Sequence, residues 1–369
     1  MEEKEIIPVA NTYIGEEEAK AAYEVIKSGW LSTGQKVKEF ESSFAEYVGS
    51  KHAIAVNSGT AALHVALAAL DIKEGDEVIA PSLTFISTGN AVLYQNATPV
   101  LAECDPKTYN ITAEIIESLI TEKTKAIIPV DMNGLPVDYD SILELAKKYN
   151  LQVIADSAES LGAEYKGRKI GSIAPIHIFS FFPNKNITTG EGGMITTNSD
   201  SLAQKMRKIM NQGQEYRYHH VLLGYNYRMT NFQAAIGIEQ LKRLSFVLKE
   251  KEQIAKKYNF AFKNCKKISC PYVPEYVTKH AWYMYTISVD KQKRDEIVKA
   301  LESSGIQTRL SFPPMHTQPY YQEKFGYKNS SLPICYDAWS KLINIPIWAK
   351  MGEKQEKVIK EVINLCENN

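Results

Sequence analysis

No run of apolar residues in this sequence approaches the length of a membrane span, and no two cysteines have CxxC spacing. The five cysteines, Cys104, Cys265, Cys270, Cys335 and Cys366, are odd in number and scattered. That pattern fits reduced thiols in a cytoplasmic protein rather than a disulfide framework. Histidine is scarce, with seven residues and no metal-ligand spacing; the adjacent His219-His220 cannot face one way on a helix or strand. Neither sign of charge dominates, since Lys+Arg and Asp+Glu both total 43. This balance removes the electrostatic argument for nucleic acid or an anionic membrane as the main partner. A DNA-binding regulator would also show a helix-turn-helix pattern or a basic stripe, and neither is found. The opening Met1-Glu2-Glu3-Lys4-Glu5 is the reverse of a signal peptide. Internal repeats and low-complexity segments are missing too.

What is present is an ordinary globular composition, 44% hydrophobic and 23% charged. A chain of 369 residues can bury one large core and a smaller one. Residues 16–28 read as a helix, with Glu16, Glu17 and Glu18 in the first turn and Lys27 near the end, as the helix dipole prefers. Short apolar strands then alternate with helices. The strands are expected at 53–56, 77–81, 98–102, 126–130, 151–156 and 176–180. The helices between them are expected from 59 to about 70, and at 87–95, 112–121 and 140–150. Such alternation means a mostly parallel sheet covered on both faces, an α/β architecture. Long helix at 233–243 and 248–262 bridges to a second part. There a strand at 283–289 and helices near 292–303 and 353–366 suggest α+β. The expected domains are 1–245 and 246–369.

One segment carries most of the chemistry: Phe179-Ser180-Phe181-Phe182-Pro183-Asn184-Lys185, followed by Thr188-Thr189-Gly190-Glu191-Gly192-Gly193. It sets one lysine in a polar loop after an apolar strand and before a glycine-rich stretch. Burial near apolar residues is expected to lower the pKa of Lys185, because it disfavours the charged form. A neutral amine is a nucleophile that can form a Schiff base with an aldehyde cofactor. The glycines let the backbone approach a bulky planar ligand. Other polar groups sit at expected strand ends, where parallel sheets bind ligands. Asn57-Ser58-Gly59-Thr60 opens a helix and makes either a phosphate cradle or an ordinary N-cap. Asp156 could pair with a protonated ring nitrogen or cap a turn. Phe85 could stack on a planar ring or fill the core.

Together these segments resemble one family closely, the fold-type I sugar aminotransferases called DegT/DnrJ/EryC1/StrS. The resemblance runs from Gly29-Trp30-Leu31-Ser32-Thr33-Gly34 to Leu342-Ile343-Asn344-Ile345-Pro346. Its motifs follow the family's order: Asn57-Ser58-Gly59-Thr60-Ala61-Ala62-Leu63, Asp156-Ser157-Ala158-Glu159-Ser160-Leu161-Gly162-Ala163, the lysine loop, Gly224-Tyr225-Asn226-Tyr227-Arg228-Met229-Thr230-Asn231, and Pro314-Met315-His316-Thr317-Gln318-Pro319-Tyr320-Tyr321. The resemblance implies a large domain that binds pyridoxal 5'-phosphate (PLP) and a smaller C-terminal domain. Position by position, it implies Lys185 as the Schiff-base lysine and Asp156 as partner of the pyridine nitrogen. It places Phe85 over the ring, and Ser58, Gly59, Thr60 and Ser180 at the phosphate. Asn226 resembles an asparagine that reaches the phosphate from the neighbouring subunit, which implies a homodimer with shared active sites. Glu159 stands near the cofactor's phenolic oxygen, where many members carry Gln, and could be protonated or hydrogen-bond its neighbours. Pro183 replaces a common Gly or Ala and stiffens the approach to Lys185.

The motifs look most like the GDP-perosamine synthase branch, which implies a step of O-antigen or lipopolysaccharide biosynthesis. The implied reaction is transamination from L-glutamate to C4 of a nucleotide-linked 4-keto-6-deoxy sugar, with pyridoxamine phosphate (PMP) as the intermediate cofactor form. The sugar would be GDP-4-keto-6-deoxymannose, or alternatively a UDP- or dTDP-linked relative. Sugar dehydratases of the same fold carry His in place of the lysine. Trp30, Thr33, Arg309 and His316 are implied as substrate contacts. Arg309 could pair with a phosphate or carboxylate, because its fork matches both. His316 could hydrogen-bond the sugar or cap the turn after Pro313-Pro314. No metal is implied.

Overall fold

A computed structural model describes residues 6–367, with side chains through Leu365. The acidic start at 1–5 and the Cys366 side chain lie outside the described residues. The central sheet has seven strands: β1 (His52–Val56), β2 (Glu77–Pro81), β3 (Thr98–Ala102), β4 (Thr124–Ile127), β5 (Gln152–Asp156), β6 (Ile176–Ser180) and β7 (Gly193–Thr197). Their spatial order is β1-β7-β6-β5-β4-β2-β3. Pairing is parallel from β6 to β3, and β7 runs antiparallel between β1 and β6. Because β7 reverses direction, the carboxyl ends of β1, β2, β5 and β6 all open onto one edge.

The alternation of side chains along each strand divides the core in two. Ala53, Ala55, Val153, Ala155 and Phe179 face one layer, which Phe40, Phe44 and Phe181 fill. Ile54, Val56, Ile154, Ile176, Ile178 and Ile195 face the other. The second layer is closed by helix α3 below, an Ala/Leu/Val segment buried nearly all round. Phe44 has no exposed surface, and its ring stands edge-on to Phe179 at 5.0 Å.

The helices are α1 (Glu16–Ser28), α2 (Gln35–Val48), α3 (Gly59–Ala69), α4 (Ser87–Tyr94), α5 (Ala113–Glu117), α6 (Tyr139–Lys148), α7 (Asp200–Ile209), α8 (Asn231–Phe262), α9 (Arg294–Ser303), α10 (Pro319–Phe325), α11 (Pro333–Lys341) and α12 (Lys354–Glu367). Helix α1 ends at Gly29, whose φ of 75° is the left-handed conformation that suits a C-terminal cap. Helix α8 is one unbroken run of 32 residues, started by Thr230 and Gln233, whose side chain accepts the Thr230 N–H at 3.0 Å. Gly237 lets α2 cross it closely, since a Cβ there would lie 2.6 Å from the Phe40 ring. Residues before 249 on α8 pack in the sheet's core, while Ile254, Ala255, Tyr258 and Phe262 pack in a third core. That core is built on an antiparallel sheet of β8 (Tyr285–Ser288), β9 (Arg309–Leu310) and β10 (Leu342–Ile345). The boundary expected at 245/246 therefore falls inside a continuous helix.

Several expected elements are shorter. β4 ends at Ile127, before Pro129, which lacks an N–H for the ladder. The strand expected from Tyr283 begins at Tyr285, after a bend in which Trp282 has a φ of 48°. The helix expected at 112–121 is one short turn at 113–117. Among the described residues no helix is long and apolar enough to cross a membrane, and no group of three or more His, Cys, Asp or Glu could hold a metal.

Candidate active site

The strand ends bring Ser58, Gly59, Thr60, Phe85, Asp156, Glu159, Ser180, Lys185 and Arg309 around one cleft of about 1070 Å³, measured out to solvent. Lys185 follows β6 in a loop that is tightly tied. The Phe181 N–H donates to Gly192 O at 2.9 Å, and Thr189 N–H donates to Phe181 O at 3.0 Å. The amide of Asn186 donates to Leu161 O at 3.3 Å and Ala281 O at 2.9 Å. Lys185 Nζ lies 3.5 Å from Glu159 Oε1 and 4.0 Å from the centre of the Tyr283 ring.

The expectation of a lowered Lys185 pKa is overturned. Burial does pull it down and is the largest single influence, but Tyr283, Glu159 and Asp156 together outweigh it. The amine is held above its ordinary value. Glu159 hydrogen-bonds its neighbours: its Oε2 accepts the Asn133 N–H at 2.7 Å while Oε1 faces Lys185.

Asp156 ends β5 and is buried. Burial pushes its pKa up to about 6, against the hydrogen bonds from Thr88 Oγ1 (2.9 Å) and Ala158 N–H (3.3 Å) and the charge of Lys185. It thus stands ready for a cation that would restore its ionised form. Behind it, Asp131 is also buried and accepts from Ser157, Ser160, Tyr139 and the Val137 N–H. Burial raises Asp131 to about 6 as well. His177 accepts the Ile173 and Ala174 N–H groups at Nε2, so Nδ1 carries the hydrogen and donates to Ser157 Oγ at 2.9 Å. This network fixes the segment that carries Asp156 and Glu159.

At the other end of the cleft, α3 begins. Ser58 accepts the Ala61 N–H at 3.1 Å and so caps its own helix, and Thr60 Oγ1 lies 2.8 Å from Ser87 Oγ. A Cβ on Gly59 would lie 3.0 Å from Ser180 Cβ, and one on Gly193 would lie 2.5 Å from Ser58 O. Two glycines therefore allow three segments to close around the positive end of the helix, where N–H groups favour an anion.

Phe85 is not a core residue. It is 52% exposed and tilts against Phe312 at 5.1 Å across the mouth of the cleft. The Arg309 guanidinium lies 5.0 Å from the Phe312 ring, and its Nε is buried without a hydrogen-bond partner among the described residues. Four expected contacts are not brought to this cleft. His316 is fully buried, with Nδ1 at 2.8 Å from Ser82 Oγ and Nε2 at 3.3 Å from Asn329 O, which leaves no ring nitrogen for a sugar. Nor does the ring cap the turn after Pro313-Pro314; it ties that turn to Ser82 and Asn329. Trp30 Nε1 donates to Thr33 O, and Thr33 Oγ1 donates to Met229 O, in a loop beside the start of α8. Asn226 lies outside the cleft, in the segment after a hairpin at 214–220, paired with Asn211.

Thr88, Tyr283, Phe312 and Asn184 were not singled out from the sequence. Thr88 had a local signal, as the first-turn hydroxyl of the helix that follows Phe85. Tyr283 and Phe312 had none, because they come to the lysine from about a hundred residues away.

Comparison with known proteins agrees with this architecture. Residues 12–363 match the DegT/DnrJ/EryC1/StrS aminotransferase family. GDP-perosamine synthase from Caulobacter vibrioides is 46% identical over 322 residues, covering 85% of this chain and 86% of the relative. The crystal structure of S. venezuelae DesV, in complex with a ketimine intermediate, superposes with a TM-score of 0.92 at 33% identity, covering 95% of this chain and 94% of that one. Streptococcus pneumoniae Spr1654, solved in PLP and PMP forms, superposes with a TM-score of 0.93 at 29% and 28% identity and covers 98% of this chain in both, and 99% and 98% of those chains.

Proposed function

The chain belongs to the DegT/DnrJ/EryC1/StrS aminotransferase family of PLP-dependent sugar aminotransferases, and from that premise we propose that it transfers an amino group from L-glutamate to C4 of a nucleotide-linked 4-keto-6-deoxy sugar. The proposed sugar is GDP-4-keto-6-deoxymannose, with GDP-perosamine as product. This finer reading is supported by the similarity to GDP-perosamine synthase and by the Lys185 loop motif. The observation that carries the amino-transfer reading is the facing pair of Lys185 Nζ and Glu159 Oε1 at 3.5 Å, with buried Asp156 on the adjoining strand end.

The residues fit the cofactor. A buried carboxylate, a half-buried amine, an anion-binding helix start and an exposed aromatic surround a cleft of about 1070 Å³. When bound, PLP supplies an electron sink for the carbon whose C–H or C–N bond changes. Asp156 would hold the ring nitrogen protonated. Ser58, Gly59, Thr60 and Ser180 would hold the phosphate. Lys185 Nζ would take the proton from the α-carbon of glutamate and return one to the sugar's C4 in the second half-reaction. Glu159 would orient that amine through its contact with Lys185, its own position fixed by the Asn133 N–H. Arg309 would take up a carboxylate or phosphate with its open Nε.

The active unit would be a cytoplasmic homodimer. Tyr218, Leu223 and Trp30 are 77%, 82% and 65% exposed, an apolar surface that a second copy would cover, with Asn226 carried towards the partner's phosphate site.

A two-stage visible spectrum tests the reading. L-Glutamate should convert bound PLP to PMP with loss of visible absorbance, and GDP-4-keto-6-deoxymannose should restore it. Loss without recovery would move the substrate to a UDP- or dTDP-linked sugar. No lysine-bound PLP at all would overturn the assignment of Lys185.

A further inference from the structure

Beside the cleft lies a second lysine, a buried one, that the proposed reaction does not use. Lys251 sits on α8 between the part that packs under the main sheet and the part that packs in the C-terminal core. It is 5% exposed and forms no ion pair among the described residues. An ammonium so placed is costly, because burial removes its hydration and no carboxylate replaces it. Such a cost is sustained where the group holds something in place.

What it holds is given by its hydrogen bonds. Lys251 Nζ donates to Asn186 Oδ1 at 2.8 Å and to the Tyr283 backbone carbonyl at 3.2 Å. Asn186 follows Lys185 directly, and its amide hydrogens are already committed to Leu161 O and Ala281 O. That commitment aims Oδ1 at Lys251. Tyr283 carries the ring that lies 4.0 Å from Lys185 Nζ. One ammonium thus ties the side chain that follows Lys185 in the catalytic loop to the backbone of the residue that faces the catalytic amine.

We propose that Lys251 is a positioning residue, which sets the distance and angle between the Lys185 amine and the Tyr283 ring by clamping Asn186 and Tyr283 together. The titratable groups that face it are Lys185 and His280; burial and the Lys251 charge push His280 down to about 3, and neither group is a carboxylate that could neutralise Lys251. Burial first, and the Lys185 charge second, push Lys251 down to about 7. A hydrophobic residue could fill the space and pack both cores, but it could not bond both acceptors. The inference rests on Lys185 being the residue that binds PLP.

The test uses full-length Lys251→Met, Lys251→Arg and Asn186→Ala. Each is stripped of cofactor and mixed with PLP. The rate of bond formation is followed by visible absorbance, and the bond is trapped by borohydride and mapped by peptide mass. Lys251→Met should form the Lys185 bond at least about tenfold more slowly and lower kcat similarly, because a small misplacement of a reacting group has large kinetic effects. KM for L-glutamate should stay unchanged, and Lys251→Arg should recover most of the rate. Asn186→Ala should reproduce the slowing, and the double variant should be no slower than the slower single, since one linkage is lost. If Lys251→Met does not fold, Asn186→Ala with Lys251→Arg decides the matter. Bond formation at the wild-type rate in Lys251→Met, or additive losses in the double variant, would overturn the clamp alone. A wild-type protein that forms no bond at Lys185 would overturn both the clamp and the proposed function.

Discussion

Thr88 donates its hydroxyl hydrogen to Asp156 Oδ2 at 2.9 Å, in a region where both side chains are buried. The bond favours the ionised carboxylate but does not offset its burial, so Asp156 remains raised to about 6. Without cofactor the protein therefore carries an electrostatic penalty at the point where a cation is to bind.

A stability prediction follows from the sign of that shift. The folded-state pKa of about 6 lies above the ordinary aspartate value of 3.8. The folded state then binds more protons between those values, and stability falls as pH rises through that window. Asp156→Asn should stabilise the cofactor-free protein at pH 8, on the order of 2 kcal/mol, with little effect near pH 4. The same variant should lose turnover by orders of magnitude. Melting curves of the two apo-proteins at both pH values check the first part.

Lys185→Ala should lower turnover by at least about 1000-fold, because no other amine reaches the same point. The protein should still fold and still bind PMP. Turnover near the wild-type level in this variant would remove Lys185 from the reaction.

Glu159→Gln removes the carboxylate charge that helps hold the Lys185 amine protonated. Its amide oxygen can still accept the Asn133 N–H. The Lys185 pKa should fall, so the pH dependence of PLP binding to the apo-protein should move to lower pH. A stopped-flow series across pH 6 to about 10 measures it.

Arg309→Ala should raise KM about 10- to 100-fold for the substrate whose anionic group it meets, with a smaller change in kcat. Arg309→Lys should recover little, because an ammonium cannot reproduce the planar fork. Steady-state kinetics with each substrate varied in turn would identify that substrate.

Gly193→Ala should weaken PLP binding and also lower folding stability, because the atoms it meets are backbone. Its Cβ would press on the Ser58 carbonyl at 2.5 Å and push apart the segments around the phosphate site. Dialysis against buffer, followed by cofactor absorbance, gives the retained fraction.

The sheet was legible because its strands are short apolar runs bounded by turns, as at Ala53–Val56 and Ile176–Ser180. The cleft was legible where its residues sit at strand ends, as with Asp156, Lys185 and the Ser58-Gly59-Thr60 turn. The strand Gly193–Thr197 was hidden by the glycines that precede it and by its reversed direction. Helix 35–48 was hidden because a glycine, and no capping hydroxyl, stands at its start. Lys185's raised pKa was not legible, since it depends on Tyr283, a contact that exists only in three dimensions. His316 was misplaced for a similar reason: its partner Ser82 comes from a distant segment.

Helix α8 has a mechanical consequence. At 1.5 Å per residue its 32 residues make a rod about 48 Å long, embedded at one end under the sheet and at the other in the C-terminal core. No proline interrupts it, and its one glycine is filled against Phe40. Such a strut resists the swing of one core against the other. The way in to Lys185 is then framed by the side chains that line the cleft, Phe85, Phe312 and Arg309, on a mount that the rod keeps square.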